Sequence, residues 1–173
     1  RVSEKVPVFI DEAYMELVEG NATRSMIGLI NQGKNIIIGR TFSKIMGLAG
    51  LRVGYIVAQP ALVAALGKIT FAGMGIAYTS IYAAAASMDD TGFQAMTREK
   101  NAAAKKWLYE KLAALGYKEY IPSHTNFVLF PINMKGRDFL DAMTAKGVGV
   151  RSFEIANRTW CRVSLGTMDE MKL

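Results

Sequence analysis

Lys44 is the residue whose surroundings most suggest chemistry. It comes three residues after Thr41, near the predicted end of a β-branched strand that begins at Asn35. Ligands of α/β sheets bind at the carboxyl ends of strands, and an apolar neighbour such as Phe42 can partly desolvate an amine. Such an amine can act as a nucleophile and condense with a carbonyl group. The alternative is an ordinary surface lysine in a loop.

A carboxylate and a phenol follow another predicted strand upstream. The apolar run at residues 6–10 predicts a buried strand, and Asp11 and Tyr14 come after it. A carboxylate in this place can pair with a protonated pyridine nitrogen, and a phenol can donate a hydrogen bond to a ring oxygen. The alternatives are a strand-end turn or helix cap for Asp11 and a packed aromatic for Tyr14.

Two hydroxyls and a guanidinium flank the lysine. Thr41, Ser43 and Arg52 could together hold a phosphate group, because hydroxyls and a bidentate guanidinium are strong phosphate partners. The alternatives are local turn hydrogen bonds for the hydroxyls and a surface salt bridge for Arg52. With Lys44 and Asp11, these are the groups needed to hold pyridoxal phosphate and to use it.

Two arginines in the last part of the chain suggest an anionic ligand. Arg162 lies inside a predicted strand at residues 160–165, and Arg151 ends a predicted strand at residues 148–151. A guanidinium among apolar neighbours needs an anionic partner. A substrate carboxylate and an internal Asp or Glu are both candidates. Cys161 has no second ligand nearby, so we expect no metal site.

The composition is that of a globular protein with a basic balance. The 173 residues carry a net charge of +6, with 51% hydrophobic and 21% charged residues. The basic residues are scattered and no recognition motif accompanies them, so we expect no nucleic-acid partner; attraction for anionic substrates suits the charge equally well. A single cysteine and ten methionines favour a reducing, cytoplasmic setting.

One uncharged stretch has the length of a membrane span. Residues 69–88 contain no charged side chain, and about twenty apolar residues can cross a bilayer. The stretch is rich in alanine, glycine and hydroxyl residues, and Gly73 and Gly75 interrupt its first half. We therefore expect a buried loop followed by an alanine-rich core helix, and no membrane partner.

The predicted elements form two domains of α/β character. Strands are predicted at residues 6–10, 35–41, 51–58, 125–132, 148–151 and 160–165, and helices at 27–30, 60–66, 79–87, 93–115 and 136–146. Residues 1–90 are expected to belong to a larger α/β domain, and residues 91–173 to form a small α+β domain.

Five segments in this order resemble the class I and II pyridoxal-phosphate aminotransferases, most closely the histidinol-phosphate aminotransferase branch. They are Asp-Glu-Ala-Tyr at 11–14, Thr-Phe-Ser-Lys at 41–44, Gly-Leu-Arg-Val-Gly at 50–54, Ser-His-Thr-Asn-Phe at 123–127 and Arg-Val-Ser-Leu-Gly-Thr at 162–167. The resemblance implies fold type I, with part of a large, mixed, mostly parallel sheet domain followed by a small α+β domain. It also implies a homodimer.

The resemblance assigns a role to each candidate residue. Lys44 would form a Schiff base with pyridoxal 5'-phosphate and move a proton in the transfer of an amino group between an amino acid, or histidinol phosphate, and a 2-oxo acid. Asp11 would bind the ring nitrogen of the cofactor and Tyr14 its 3'-oxygen. Thr41, Ser43 and Arg52 would hold the cofactor phosphate. Arg162 and Arg151 would bind the anionic group of the substrate.

Members of that family are considerably longer than this chain. The resemblance therefore predicts a fragment that lacks the N-terminal half and the last helix, and that neither folds stably nor transaminates alone. A decarboxylase or a C–S lyase of the same fold shares Lys44 and Asp11 and remains open. A non-catalytic fragment or interaction domain is the alternative of another class.

Overall fold

The computed structural model describes residues 2–18, 25–70 and 75–173. The predicted break at Gly73 lies outside these residues. The chain divides into two compact units, Arg1–Ala95 and Met96–Leu173.

The described residues form a mixed α/β structure, which confirms the predicted class. The strands are β1 (Val8–Asp11), β2 (Ile36–Thr41), β3 (Gly54–Val57), β4 (Phe127–Pro131), β5 (Arg151–Ile155) and β6 (Arg158–Ser164). The helices are α1 (Ile27–Asn31), α2 (Pro60–Gly67), α3 (Tyr78–Asp89), α4 (Thr91–Ala114), α5 (Gly136–Thr144) and α6 (Met168–Met171), with short 3-10 helices at Val2–Glu4, Met15–Leu17 and Ala49–Leu51. No helix among the described residues is long and apolar enough to cross a membrane.

The first unit contains a sheet of order β1-β2-β3. The parallel pair β1 and β2 sets Asp11 opposite Gly39, and the antiparallel pair β2 and β3 sets Thr41 opposite Gly54. The sheet packs against α1, because Ile36 and Ile38 of β2 form a buried cluster with Ile30 of that helix. Because the parallel strands end side by side, Asp11 and Thr41 leave the sheet at the same edge.

Several helices begin or end at residues whose chemistry suits that position. α2 begins with Pro60 in its first turn, where a missing N–H costs no hydrogen bond. Before α4, the carboxylate of Asp90 accepts a hydrogen bond of 2.9 Å from the backbone N–H of Phe93, as expected of a capping residue. Gly116 follows α4 with a φ of 85°, the left-handed conformation that glycine adopts readily at a helix end.

Two strand predictions in the first unit need correction. β1 is not a buried strand, because Phe9 is 61% exposed. β3 starts at Gly54 and not at Leu51, because Ala49–Leu51 is a 3-10 helix and Arg52 then adopts a left-handed conformation, with φ 49° and ψ 46°. A residue in that region cannot continue an extended strand.

The expectation of a buried core helix is also wrong for α3. Its buried residues are Ser80 and Ala84, whereas Tyr78 is 79% and Tyr82 is 72% exposed. The helix therefore buries one narrow face of small side chains, with Ala84 packed in a cluster with Phe42. Its larger side chains face outward.

The second unit contains an antiparallel sheet of order β4-β6-β5. Val128 of β4 and Cys161 of β6 are at most 1% exposed and form its core with Leu108 and Leu112 of α4. These leucines stand one helical turn apart, so the amphipathic pattern of α4 faces this core.

The β5–β6 hairpin was not predicted. The predicted strand at 148–151 is wrong, because β5 begins at Arg151 and runs to Ile155. Ile155 pairs with Arg158, and the two residues between them, Ala156 and Asn157, have φ angles of 50° and 60°. Two positive φ angles are typical of the tight type I' turn, a conformation in which alanine is uncommon.

Candidate active site

A cavity of about 800 Å³ lies in the first unit at the end of its sheet. Five predicted site residues line it: Asp11, Thr41, Ser43, Lys44 and Arg52. Their assembly follows from the parallel pairing of β1 and β2, which ends both strands at one edge. The segment after Thr41 then carries the other three residues along the same cavity.

Lys44 is held between buried neighbours. Phe42 is 5% and Ile45 is 1% exposed, so the chain on both sides of the lysine is anchored in the core. The amine Nζ lies 5.0 Å from the centroid of the Tyr14 ring, a distance at which an ammonium is attracted to the ring face. Tyr14, the sixth predicted cofactor residue, therefore touches the key lysine although it does not itself line the cavity.

Local hydrogen bonds engage two of the cavity residues. Asp11 Oδ1 accepts a hydrogen bond of 2.9 Å from the backbone N–H of Ala13, and Thr41 Oγ1 accepts one of 3.1 Å from that of Ser43. Asp11 and Thr41 thus make the local turn hydrogen bonds that were the alternative interpretation of each residue. A carboxylate offers about four acceptor sites and a hydroxyl retains its own proton to donate, so each group can also bind a ligand.

Arg52 combines an unusual backbone with an exposed guanidinium. Its left-handed conformation is uncommon for a residue other than glycine and is found preferentially at functional sites. Nη1 donates a hydrogen bond of 2.6 Å to the carbonyl of Ala49, which fixes the head group beside the cavity. No carboxylate within the described ranges forms an ion pair with it, and a guanidinium has four further N–H donors.

Arg162 and Arg151 stand opposite each other in the second unit. They are paired across β6 and β5, and like charges in directly opposite positions destabilise a sheet. The Arg162 Cζ lies 3.9 Å from the centroid of the Phe127 ring. Its buried Nε has no hydrogen-bond partner in the described part of the chain, so the internal Asp or Glu that was the alternative is not seen there. An anion bound by both arginines would relieve the repulsion and supply a partner.

Reasoning from the sequence missed Arg40 and Glu12. Arg40 lines the cavity, and its Nη2 donates to Glu12 Oε2 at 2.7 Å. Burial alone would raise the pKa of Glu12, but hydrogen bonds from the Met26 backbone, Arg40 and Ser25 outweigh it and hold that pKa below its usual value. The signal was available, because an arginine inside a buried strand needs an anionic partner, the same criterion that identified Arg162.

Cys161 lies in the core of the second unit. The thiol is 1% exposed, and burial raises its pKa to about 12. Among the described residues, no group of three or more His, Cys, Asp or Glu side chains could hold a metal ion.

Comparison with known proteins identifies relatives of this chain. The pattern of the family "Aminotransferase class I and II" matches residues 1–173. The chain is 34% identical to the histidinol-phosphate aminotransferase of Halalkalibacterium halodurans, over 98% of this chain and 46% of that protein. It is 36% identical to that of Moorella thermoacetica, over 96% and 43% respectively.

A solved structure shows the same fold. The crystal structure of histidinol-phosphate aminotransferase from Sinorhizobium meliloti in complex with pyridoxal-5'-phosphate superposes with a TM-score of 0.83 at 30% identity, covering 98% of this chain and 47% of that one. The chain thus spans slightly less than half the length of these relatives. The match over its whole length shows that it belongs to the class I and II aminotransferase family.

Proposed function

We propose that this chain carries the catalytic lysine of a pyridoxal-phosphate-dependent aminotransferase. The reaction moves an amino group between an amino acid, or histidinol phosphate, and a 2-oxo acid. The observation that carries the proposal is the cavity of the first unit, which gathers Lys44, Asp11 and Arg52 at one sheet edge. Family membership and the cofactor named in the Sinorhizobium meliloti structure support it.

The residues of the cavity fit the cofactor by their chemistry. Arg52 supplies a cation for a phosphate group, and the hydroxyls of Thr41 and Ser43 supply donors beside it. Asp11 offers a carboxylate to a protonated ring nitrogen, and Tyr14 offers a phenol near the amine of Lys44. When bound, the cofactor supplies an electron sink that stabilises negative charge on the substrate Cα.

Each residue then has a task of its own. Asp11 keeps the ring nitrogen protonated, since an adjacent carboxylate favours the charged form of a base. The amine of Lys44 accepts the proton from the substrate Cα. The ring of Tyr14, 5.0 Å from Nζ, keeps the lysine head group in place. Arg52, Thr41 and Ser43 bind and orient the phosphate.

In this proposal, Arg162 and Arg151 bind the anionic group of the substrate. The support is the unpartnered, buried Nε of Arg162 among the described residues and the cross-strand pairing of the two arginines. A carboxylate or a phosphate ester would satisfy both, which fits amino acids and histidinol phosphate alike. Replacing Arg162 by Gln should raise the KM for the anionic substrate and leave the affinity for the cofactor unchanged.

We extend the proposal to a homodimer in the cytoplasm. On α3, Tyr78, Ile81 and Tyr82 are 79%, 46% and 72% exposed. Their spacing of three and four residues puts them on one helix face, where exposed apolar groups favour a protein partner. The single cysteine, Cys161, is buried and unpaired, which suits a reducing compartment.

An amino-transfer assay tests the function directly. The native polypeptide that carries these residues is mixed with pyridoxal phosphate, a 2-oxo acid and either an amino acid or histidinol phosphate, and the amino-acid products are identified. Lys44→Ala should reduce transfer at least about a hundredfold, the usual contribution of a positioned acid–base group. The matched variant Lys68→Ala, at an exposed residue that directly follows α2, should retain it.

Two outcomes would point elsewhere. Release of carbon dioxide or of a thiol without a new amino acid would identify a decarboxylase or a C–S lyase. A biological activity that survives Lys44→Ala would favour a non-catalytic interaction domain.

A further inference from the structure

A buried ionic cluster lies beside the cavity, among residues that have no role in the proposed function. Glu12 Oε2 accepts hydrogen bonds from Arg40 Nη2 at 2.7 Å and from Arg40 Nε at 3.0 Å. The Glu12 side chain is 1% and the Arg40 side chain 16% exposed. Glu12 Oε1 also accepts a hydrogen bond of 2.7 Å from the backbone N–H of Met26. Such a pair is held in one geometry, because every alternative leaves a buried charge without a partner.

The pair bridges the two strand ends that carry cavity residues. Glu12 directly follows Asp11, and Arg40 directly precedes Thr41. The backbone N–H of Glu12 donates to the carbonyl of Gly39 at 2.9 Å, which continues the parallel pairing by one residue. The ion pair therefore fixes the point at which Asp11 and Thr41 leave the sheet.

The same guanidinium also holds the segment that carries Tyr14. Arg40 Nη1 lies 3.0 Å from Glu16 Oε1, while Nη2 holds Glu12. Tyr14 lies midway between the two glutamates in the sequence, and its ring faces the amine of Lys44. One planar side chain thus ties down both ends of the short segment on which Tyr14 stands.

Only an arginine can make this set of contacts. Nε, Nη1 and Nη2 all donate, to Glu12, to Glu16 and to Ser25 Oγ at 2.9 Å. A lysine would preserve the charge but would present one nitrogen in place of three and could not span both carboxylates in this plane.

We propose that Arg40, together with Glu12 and Glu16, acts as a positioning residue that sets where Asp11 and Tyr14 stand relative to Lys44. Arg40 also lines the cavity, but the proposed role acts through Asp11 and Tyr14. Its meaning for catalysis rests on the proposed function, whereas its effect on Tyr14 does not.

The test compares Arg40→Lys with Arg158→Lys in the native polypeptide. Arg158 forms a similar bidentate pair with Glu119, at 2.8 and 2.9 Å, but that pair is about half exposed and lies in the second unit. The first readout is the ¹⁹F NMR signal of 3-fluorotyrosine at position 14, assigned with Tyr14→Phe. The second is the dissociation constant for pyridoxal phosphate, and urea unfolding verifies that each variant is folded.

We expect Arg40→Lys to shift or broaden the Tyr14 signal. It should also raise the dissociation constant on the order of tenfold, because a displaced Asp11 loses a well-placed charged contact with the cofactor. Arg158→Lys should change neither quantity. A folded Arg40→Lys protein with the wild-type Tyr14 signal and wild-type affinity overturns the proposal.

A milder variant keeps the test decisive if Arg40→Lys does not fold. Glu16→Gln leaves the buried Glu12 pair intact and removes one charge from the Nη1 contact. The Tyr14 signal should move in this variant, and an unmoved signal overturns the proposal. If the wild-type protein binds no pyridoxal phosphate, the proposed function fails, while the Tyr14 signal still decides the positioning role.

Discussion

Arg52 offers a sharp prediction, because one residue carries both backbone strain and a proposed phosphate contact. Its φ of 49° and ψ of 46° cost a residue with a side chain roughly 1–2 kcal/mol relative to the right-handed region. Glycine avoids that cost but adds about 0.5–1 kcal/mol of freedom to the unfolded chain. Arg52→Gly should therefore be more stable than Arg52→Ala by about 0.5–1 kcal/mol. Both lose the hydrogen bond to Ala49 equally.

The affinity for pyridoxal phosphate should respond differently from stability. Each variant loses the charged contact with the phosphate, which is worth roughly 1.5–3 kcal/mol. The dissociation constant should rise by roughly 10- to 150-fold in both variants.

Urea unfolding and a fluorescence titration with the cofactor measure the two quantities. Arg137→Ala serves as the control, because Arg137 is an exposed arginine on α5, 84% accessible, and its loss removes the same charge. Equal unfolding midpoints for Arg52→Gly and Arg52→Ala would refute the strained backbone. Wild-type affinity in either variant would refute the phosphate contact.

Three further predictions concern packing, pH and thiol reactivity. Gly54→Ala should destabilise the protein by about 1–3 kcal/mol in urea unfolding, because its Cβ would stand 2.7 Å from the carbonyl oxygen of Arg40; Gly50→Ala, whose Cβ meets no described atom within 4 Å, should cost far less. The pKa of Glu12 is lower in the folded than in the unfolded protein, so its contribution to stability is present above the unfolded-state pKa and is lost as the pH falls through the folded-state pKa. In Glu12→Gln, the free energy of unfolding should therefore change less steeply with pH between pH 7 and 3. An unchanged slope contradicts this. Burial raises the pKa of Cys161 to about 12, so at pH 8 a thiol reagent should label it slowly in the native protein and rapidly in urea, whereas rapid native labelling would show an accessible thiolate.

The cavity could be anticipated because its residues are close in sequence and stand at strand ends. Residues 41–44 and Arg52 come within twelve positions of one another, and Asp11 ends the neighbouring parallel strand. Local apolar runs locate such strands, and parallel pairing brings their ends together. Arg40 could have been found by the same reasoning about arginines in buried strands.

Other features depend on information that local patterns do not contain. The hairpin at Ala156 and Asn157 uses two left-handed residues, and alanine gives no signal for that conformation. The start of β3 depends on the backbone of Arg52, which turn propensity does not predict. The exposure of Tyr78 and Phe9 is set by what packs against each element, and an apolar pattern alone cannot distinguish an internal core from a surface that meets a partner.

The capping box before α6 is a further signal that went unused. The Thr167 side chain accepts a hydrogen bond from the backbone N–H of Glu170, and the Glu170 carboxylate accepts one from the backbone N–H of Thr167. The sequence Thr-x-x-Glu is typical of such a helix start, so this short helix could have been predicted.

The most direct test of the central claim is to identify the lysine that holds the cofactor. The native polypeptide is incubated with pyridoxal phosphate, reduced with borohydride and digested, and the modified peptide is identified by mass spectrometry. We expect Lys44 to carry the reduced phosphopyridoxyl group and the visible absorption to disappear on reduction. Lys44→Ala should abolish both results, and Lys68→Ala should abolish neither. Modification spread evenly over surface lysines, or retained in Lys44→Ala, would contradict it.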